Sequence, residues 1–149
     1  MSDRDEIQDV LQAYATHLDK KNPAGLAEEV FTDNAVIDLG YGVWEGAERF
    51  LKEYAWELEQ FDGTAHVLTN FRCKIDGDTA TSSIYVTAWH WSKGLADSER
   101  FPPSDFVTLG VYLDKLERRP HGWRIAHRRF RRLGPSAVAI GTMPAFIKL

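Results

Sequence analysis

The sequence predicts an α+β domain in which helices come first and a curved, mostly antiparallel sheet follows. Three observations carry this. Apolar residues recur at helical spacing through the first 60 positions, four long alternating segments fill the second half, and a turn signal separates the members of each pair. The strands are long enough to bend into a half-barrel with an interior pocket between sheet and helices.

The first helix is marked by Ile7, Val10, Leu11, Tyr14, Ala15 and Leu18 on one face, with Ser2 or Asp3 as its cap. Asn22-Pro23 ends it, because the residue before proline is biased away from the α region. A second, short helix after Pro23 places Leu26, Ala27, Val30 and Phe31 on one side. Ala35 to Leu39 reads as a short strand, and Gly40, Gly42 and Gly46 mark turns around Tyr41 and Trp44. A third helix spans Ala47 to Gln60, with Phe50, Tyr54, Leu58 and then Phe61 on a core-facing stripe and Trp56 off it. Ala65 to Ile75 and Thr79 to Trp91 form a hairpin about Asp76-Gly77-Asp78. Asp105 to Arg119 and Trp123 to Leu133 form another about Pro120-His121-Gly122. A polar loop, Lys93 to Ser104, joins the hairpins. An apolar tail, 134–149, would cover part of the molecule or cross to another subunit.

A chain of 149 residues fits one domain, 1–149, with a core of about 5–132. Eighteen Lys+Arg against 22 Asp+Glu leave a net charge of −4, which gives no general support for nucleic-acid or anionic-membrane binding. The local exception is the run Arg128, Arg129, Arg131, Arg132. The one cysteine, Cys73, cannot form an internal disulfide or a thiolate zinc site alone. No stretch approaches a membrane span, and the charged N-terminus shows no secretion signal, so a soluble cytoplasmic protein is expected. Metal and cofactor signatures are absent: there is no HxxxH or HxH pair, no glycine-rich phosphate loop and no Gly-x-Ser-x-Gly elbow. No cofactor is expected.

The histidines separate by position. His121 reads as solvated and His17 as a core or surface residue. His66 and His90 each sit on a long strand, where period-two alternation fixes direction. Ile84, Val86, Ala88 and His90 share one face, and a histidine there is equally a satisfied core residue. Tyr85, Trp89 and Trp91 share the other face, apolar enough for a subunit interface. Asp19 ends the first helix; beside Lys20 and Lys21 it can be solvated, or it can reach a histidine and make it a general base. Arg128 reads as a solvated or salt-bridged strand residue, or as a pocket arginine. Alternation groups it with Arg124 and Ala126, opposite Trp123, Ile125 and His127. A buried arginine would need a partner, and Asp19 or a substrate carboxylate could supply one.

These residues together resemble the nuclear transport factor 2-like superfamily. The resemblance rests on Tyr14 with Leu18-Asp19-Lys20-Lys21, the segment 26–35 (LAEEVFTDNA), His66-Val67-Leu68-Thr69-Asn70, Asp76-Gly77-Asp78-Thr79-Ala80, and Gly122-Trp123-Arg124-Ile125 with Arg128. Within it the chain is similar to the SnoaL-like branch, which includes scytalone dehydratase, bile-acid dehydratase and hexachlorocyclohexane dehydrochlorinase. The resemblance implies a cone-shaped half-barrel, with Asp19 and His66 as a catalytic dyad. It further implies Tyr14 against the substrate oxygen, Arg128 as a pocket arginine and His90 as a second histidine. Val86, Ala88, Tyr54 and Leu58 would contact substrate. The dehydrochlorinase has a lysine in place of Tyr14, which favours chemistry at oxygen over halide elimination here.

The implied activity is that of a lyase or isomerase, dehydratase-like and cofactor-independent, acting on a small apolar cyclic substrate. Polyketide-type aldol cyclisation, a reaction of secondary metabolism, and a non-catalytic binding or assembly module are the alternatives. A homodimer or homotrimer is expected from the branch.

Overall fold

The computed structural model describes residues 1–92, 104–134 and 138–139. The expected loop Lys93 to Ser104, apart from Ser104, which begins a strand, and all of the tail except 134 and 138–139 lie outside the described residues. Helix α1 (Asp3–Asp19) starts with a reciprocal cap: the Ser2 hydroxyl accepts from the Asp5 amide while the Asp5 carboxylate accepts from Ser2. Its expected apolar face is buried, from Ile7 to Leu18. Lys21, at φ +51°, turns the chain out of the helix. Asn22 then caps a single turn, α2 (Pro23–Gly25), which runs into a π-helical turn at Leu26–Val30.

The expected second helix stops short of Phe31, because Phe31 begins β1 (Phe31–Asp38), four residues earlier than the predicted strand. Its ring packs edge-on against Tyr14 and Phe50, at 5.9 and 5.8 Å. The glycine-marked segment contains a further short strand, β2 (Val43–Glu45), antiparallel to β1. Helix α3 (Ala47–Glu59) follows, burying Phe50, Leu51 and Leu58 and leaving Trp56 half exposed.

The remaining strands are β3 (Gly63–Asp76), β4 (Thr79–Ser92), β5 (Ser104–Arg119), β6 (Gly122–Arg132) and β7 (Val138–Ala139). Sheet order is β2-β1-β6-β5-β4-β3, and β7 pairs with β5 at Phe106 and Val107, beyond the reach of β6. The β1–β6 pairing is parallel and every other pairing is antiparallel, so the sheet is mixed and open. In the first hairpin Gly77 takes φ +56°, a conformation that costs a side-chain-bearing residue about 1–2 kcal/mol.

Three register shifts interrupt the sheet, one of them in the β1–β6 ladder between Phe31 and Val36. In β3 the register shifts between Thr69 and Arg72, with Asn70 at φ +56°. Between β5 and β6 the register passes from Lys115↔His127 to Leu116↔Ile125, which leaves Ala126 as an extra residue. This bulge overturns the simple alternation read from the sequence. Trp123, Ile125 and Arg128 are buried together, whereas Arg124 is on the other phase. The concave face receives α1 and α3; the convex face exposes Val67, Tyr85, Trp89, Trp91 and Leu109, which are 41–51% accessible. That band contains the residues expected at a subunit interface.

Gly110 is required by packing. A Cβ there would lie 2.1 and 2.4 Å from ring carbons of Phe130 and 2.9 Å from the Arg131 carbonyl oxygen. Gly110→Ala is expected to lower stability by about 1–3 kcal/mol in urea denaturation, because backbone and ring cannot both yield. A variant as stable as the parent would show that the strand pair relaxes freely.

Candidate active site

Asp19 is the last residue of α1, a helix end whose dipole disfavours a carboxylate. Three donors offset this. The His66 amide donates to Oδ2 at 3.0 Å, the Thr64 hydroxyl to Oδ1 at 2.9 Å, and His66 Nδ1 lies 2.7 Å from Oδ1. The amide is free to do so because β3 is the sheet edge, so its outward N–H groups have no neighbouring strand. Burial pushes the Asp19 carboxyl up, but the His66 ring, its amide and Thr64 together bring it below the usual carboxylate value. An ionised carboxylate only accepts, so it assigns the hydrogen of neutral His66 to Nδ1 and leaves Nε2 basic. The imidazole is 4% exposed and the carboxylate 30%.

His66 stands on the wall of a cavity of about 260 Å³ between sheet and helices. This is near the small end of ligand cavities, roughly 300–1,000 Å³. Tyr54, Leu58 and Phe61 form the wall from α3 and its end, and Ala88, Phe106 and Phe130 form the wall from the sheet. A broader groove of about 590 Å³ crosses the opposite, convex face near Arg72, Lys115 and Arg129, away from the dyad.

His90 also lines the cavity. It pairs in register with Thr64 and Phe106, stacks on Phe106 at 4.6 Å, and its ring centre lies 5.8 Å from that of His66. Burial, followed by repulsion from His66, pushes its pKa down to about 4, so it is neutral at pH 7. Its Nδ1 has no hydrogen-bond partner among the described residues.

Tyr14 reaches the cavity from α1, and its hydroxyl lies near Tyr112 and Arg128 without a well-formed hydrogen bond among the described residues. Burial raises its pKa against the opposing pull of Arg128, so it stays a phenol with a proton to donate. Arg128 itself is not on the cavity wall. It lies behind, with its guanidinium carbon 4.1 Å from the Tyr14 ring centre and 4.2 Å from that of Tyr112, and is fully buried. Its partner is neither Asp19 nor a ligand. Asp114 accepts from Nε at 2.8 Å and from Nη2 at 2.7 Å, in a bidentate pair with no side-chain exposure.

The structure therefore places His66, His90 and Tyr14 on the cavity wall, with Asp19 bonded to His66 off that wall, and puts Arg128 behind Tyr14. Of the four expected substrate contacts, Tyr54, Leu58 and Ala88 line the cavity, whereas Val86 is 1% exposed and belongs to the core. Val86 packs within the hydrophobic core cluster instead. Sequence reasoning missed Asp114, Tyr112 and Thr64. Asp114 had a legible signal, a carboxylate alternating with Tyr112 and Leu116 on a buried strand face.

The family model of the SnoaL-like domain matches residues 1–129, and the chain belongs to that family. An uncharacterized protein of Mycobacterium tuberculosis is 33% identical over 131 residues, covering 86% of this chain and 84% of its own length. A Novosphingobium aromaticivorans protein, provisionally described as an aromatic ring hydroxylase, superposes with a TM-score of 0.80 at 27% identity over 93% of each chain. A provisionally assigned scytalone dehydratase from the same organism gives 0.75 at 20% identity, over 96% of this chain and 93% of its own. A hexachlorocyclohexane dehydrochlorinase gives 0.75 at 20%, over 97% and 95%. At 20% identity the last two establish a shared fold of the nuclear transport factor 2-like type, a superfamily represented by a further match at TM-score 0.74. No helix among the described residues is long and apolar enough to cross a membrane.

The depressed pKa of His90 makes stability depend on pH. As pH falls from about 6.5 to about 4, the unfolded chain takes up a proton that folded His90 refuses, so stability is lost across that window. His90→Phe should remove this loss, gaining about 2–4 kcal/mol on the parent between pH 7 and pH 4 in urea denaturation. Parallel curves would show that His90 is not held neutral. For the buried pair, Asp114→Asn should cost about 3–5 kcal/mol, because it strands a charge. The double replacement Asp114→Leu with Arg128→Met should cost less than the single one. Additive costs in a double-mutant cycle would show that the pair is uncoupled.

Proposed function

We propose that this SnoaL-like protein is a lyase or isomerase of the dehydratase type, with His66 as the general base toward a small, mostly apolar cyclic substrate. The observation that carries the reading is the 2.7 Å contact between Asp19 and His66 Nδ1, beside a cavity lined largely by apolar side chains. A binding module has no need of a histidine held in one tautomer with its basic nitrogen left free. The name of the Novosphingobium protein, an aromatic ring hydroxylase, agrees with a flat ring in such a cavity.

The reaction begins when Nε2 of His66 takes a proton from carbon beside a carbonyl or a leaving group. Asp19 stabilises the imidazolium that forms and keeps the ring in place. Tyr14 donates a hydrogen bond to the oxygen that gains negative charge, and the Arg128 guanidinium behind its ring supports that charge through the phenol. His90, neutral, supplies a second polar contact. In dehydration the C–H electron pair becomes the new C=C bond and the C–O bond breaks. Hydroxide then takes the proton back from Nε2 and leaves as water. In isomerisation the proton returns to a different carbon. Aldol-type cyclisation shares the first step, differing only in that the carbanion attacks a carbonyl within the same molecule.

Cyclic ketones and secondary alcohols, screened for loss of water and for proton exchange at carbon, test the reading. His66→Gln should reduce turnover by about 10²–10⁴-fold while the protein remains folded. Turnover within a few-fold of the parent removes His66 as the base.

A further inference from the structure

The basic run at the end of β6 is divided by the bulge at Ala126. After it, Arg128, Phe130 and Arg132 follow one another at period two on the concave side, while Arg129 and Arg131 take the other phase. These three inward residues do different things. Arg128 is fully buried and paired with Asp114, Phe130 is part of the cavity wall, and Arg132 lines the cavity while remaining exposed to solvent. Arg132 is the sole lysine or arginine on that wall among the described residues.

Among the described residues it is also without a counter-ion. Arg128 has Asp114, Arg129 approaches Asp38 at 3.9 Å, and Arg118 pairs with Asp3 and Asp78. No described residue forms an ion pair or hydrogen bond with Arg132. The one carboxylate on the cavity wall among the described residues, Glu57, is engaged by the Tyr41 hydroxyl at 2.6 Å and does not pair with Arg132. A guanidinium with no partner among the described residues, at the edge of a chamber lined mainly by aromatic and aliphatic side chains, presents a planar fork of donors that fits a carboxylate.

We infer that the substrate is a cyclic acid: a ring that occupies the apolar chamber and a carboxylate held by Arg132. This rests on the proposed general-base reading for the position of the reacting carbon, but not for the recognition of the acid. The Arg132 contact would also fix which way round the ring enters. A one-point charge contact with an apolar wall selects orientation more than it adds affinity.

Binding distinguishes the two ideas. Benzoate, cyclohexanecarboxylate and 2-naphthoate, each beside its neutral amide, are titrated into the full chain at pH 7 by calorimetry or ligand-observed NMR. The parent should favour at least one acid over its amide by about tenfold or more, corresponding to about 1.4 kcal/mol. Arg132→Gln should abolish that preference, and Arg132→Lys should retain part of it. His66→Gln should keep the preference even while turnover is lost. A panel with no acid preference, whether both forms bind or neither does, overturns the inference, as does a preference that survives Arg132→Gln. Undiminished turnover in His66→Gln would instead remove the base and leave acid recognition standing.

Discussion

A full positive charge lies in the interior of this small domain, and the arrangement around the cavity follows from the need to neutralise it. An unpaired buried guanidinium costs several kcal/mol, so β5 must place Asp114 opposite Arg128 on β6, as the register does. The rings of Tyr14 from α1 and Tyr112 from β5 both pack against the guanidinium. Both rings also line the cavity. One buried pair thus ties a helix and two strands together and fixes two phenols of the cavity wall. The T-shaped contact of those rings, at 5.4 Å, adds packing to the electrostatic constraint.

The dyad depends on a different constraint, the incomplete hydrogen bonding of an edge strand and a helix end. β3 has outward amides to satisfy, and α1 ends in a carboxylate that needs donors. Each solves the other's problem, and the geometry that results holds one nitrogen of His66. The buried imidazole with a partly exposed carboxylate behind it also gives the site a polar side and an apolar side.

Much of this was legible in the sequence where the signal is local. α1, α3 and both hairpins follow from periodicity and turn residues, since their partners are neighbours along the chain. The extent of β1 is not legible locally because it depends on pairing with β6, more than 90 residues away, and β2 in turn depends on β1. Asp19 and His66 were nominated by resemblance, whereas their contact depends on a helix end meeting a sheet edge, which no spacing rule encodes. Arg128 was the hardest to orient: the count from Trp123 gave the wrong phase, because a bulge does not announce itself in residue types. Asp114 was overlooked although it stands between apolar residues on its strand face.

That bulge has a consequence for comparing relatives. At Ala126 the chain carries one residue more on β6 than on β5, and every side chain beyond it is read on the opposite phase. The chemical character of the chamber is therefore encoded in a residue count as much as in residue identity. A homologue with the same arginines but one residue fewer at this point would turn them toward the convex face, and its chamber would lose both the hidden ion pair and the cation at its rim. Alignments that slide a gap across this stretch would equate residues lying on opposite sides of the sheet.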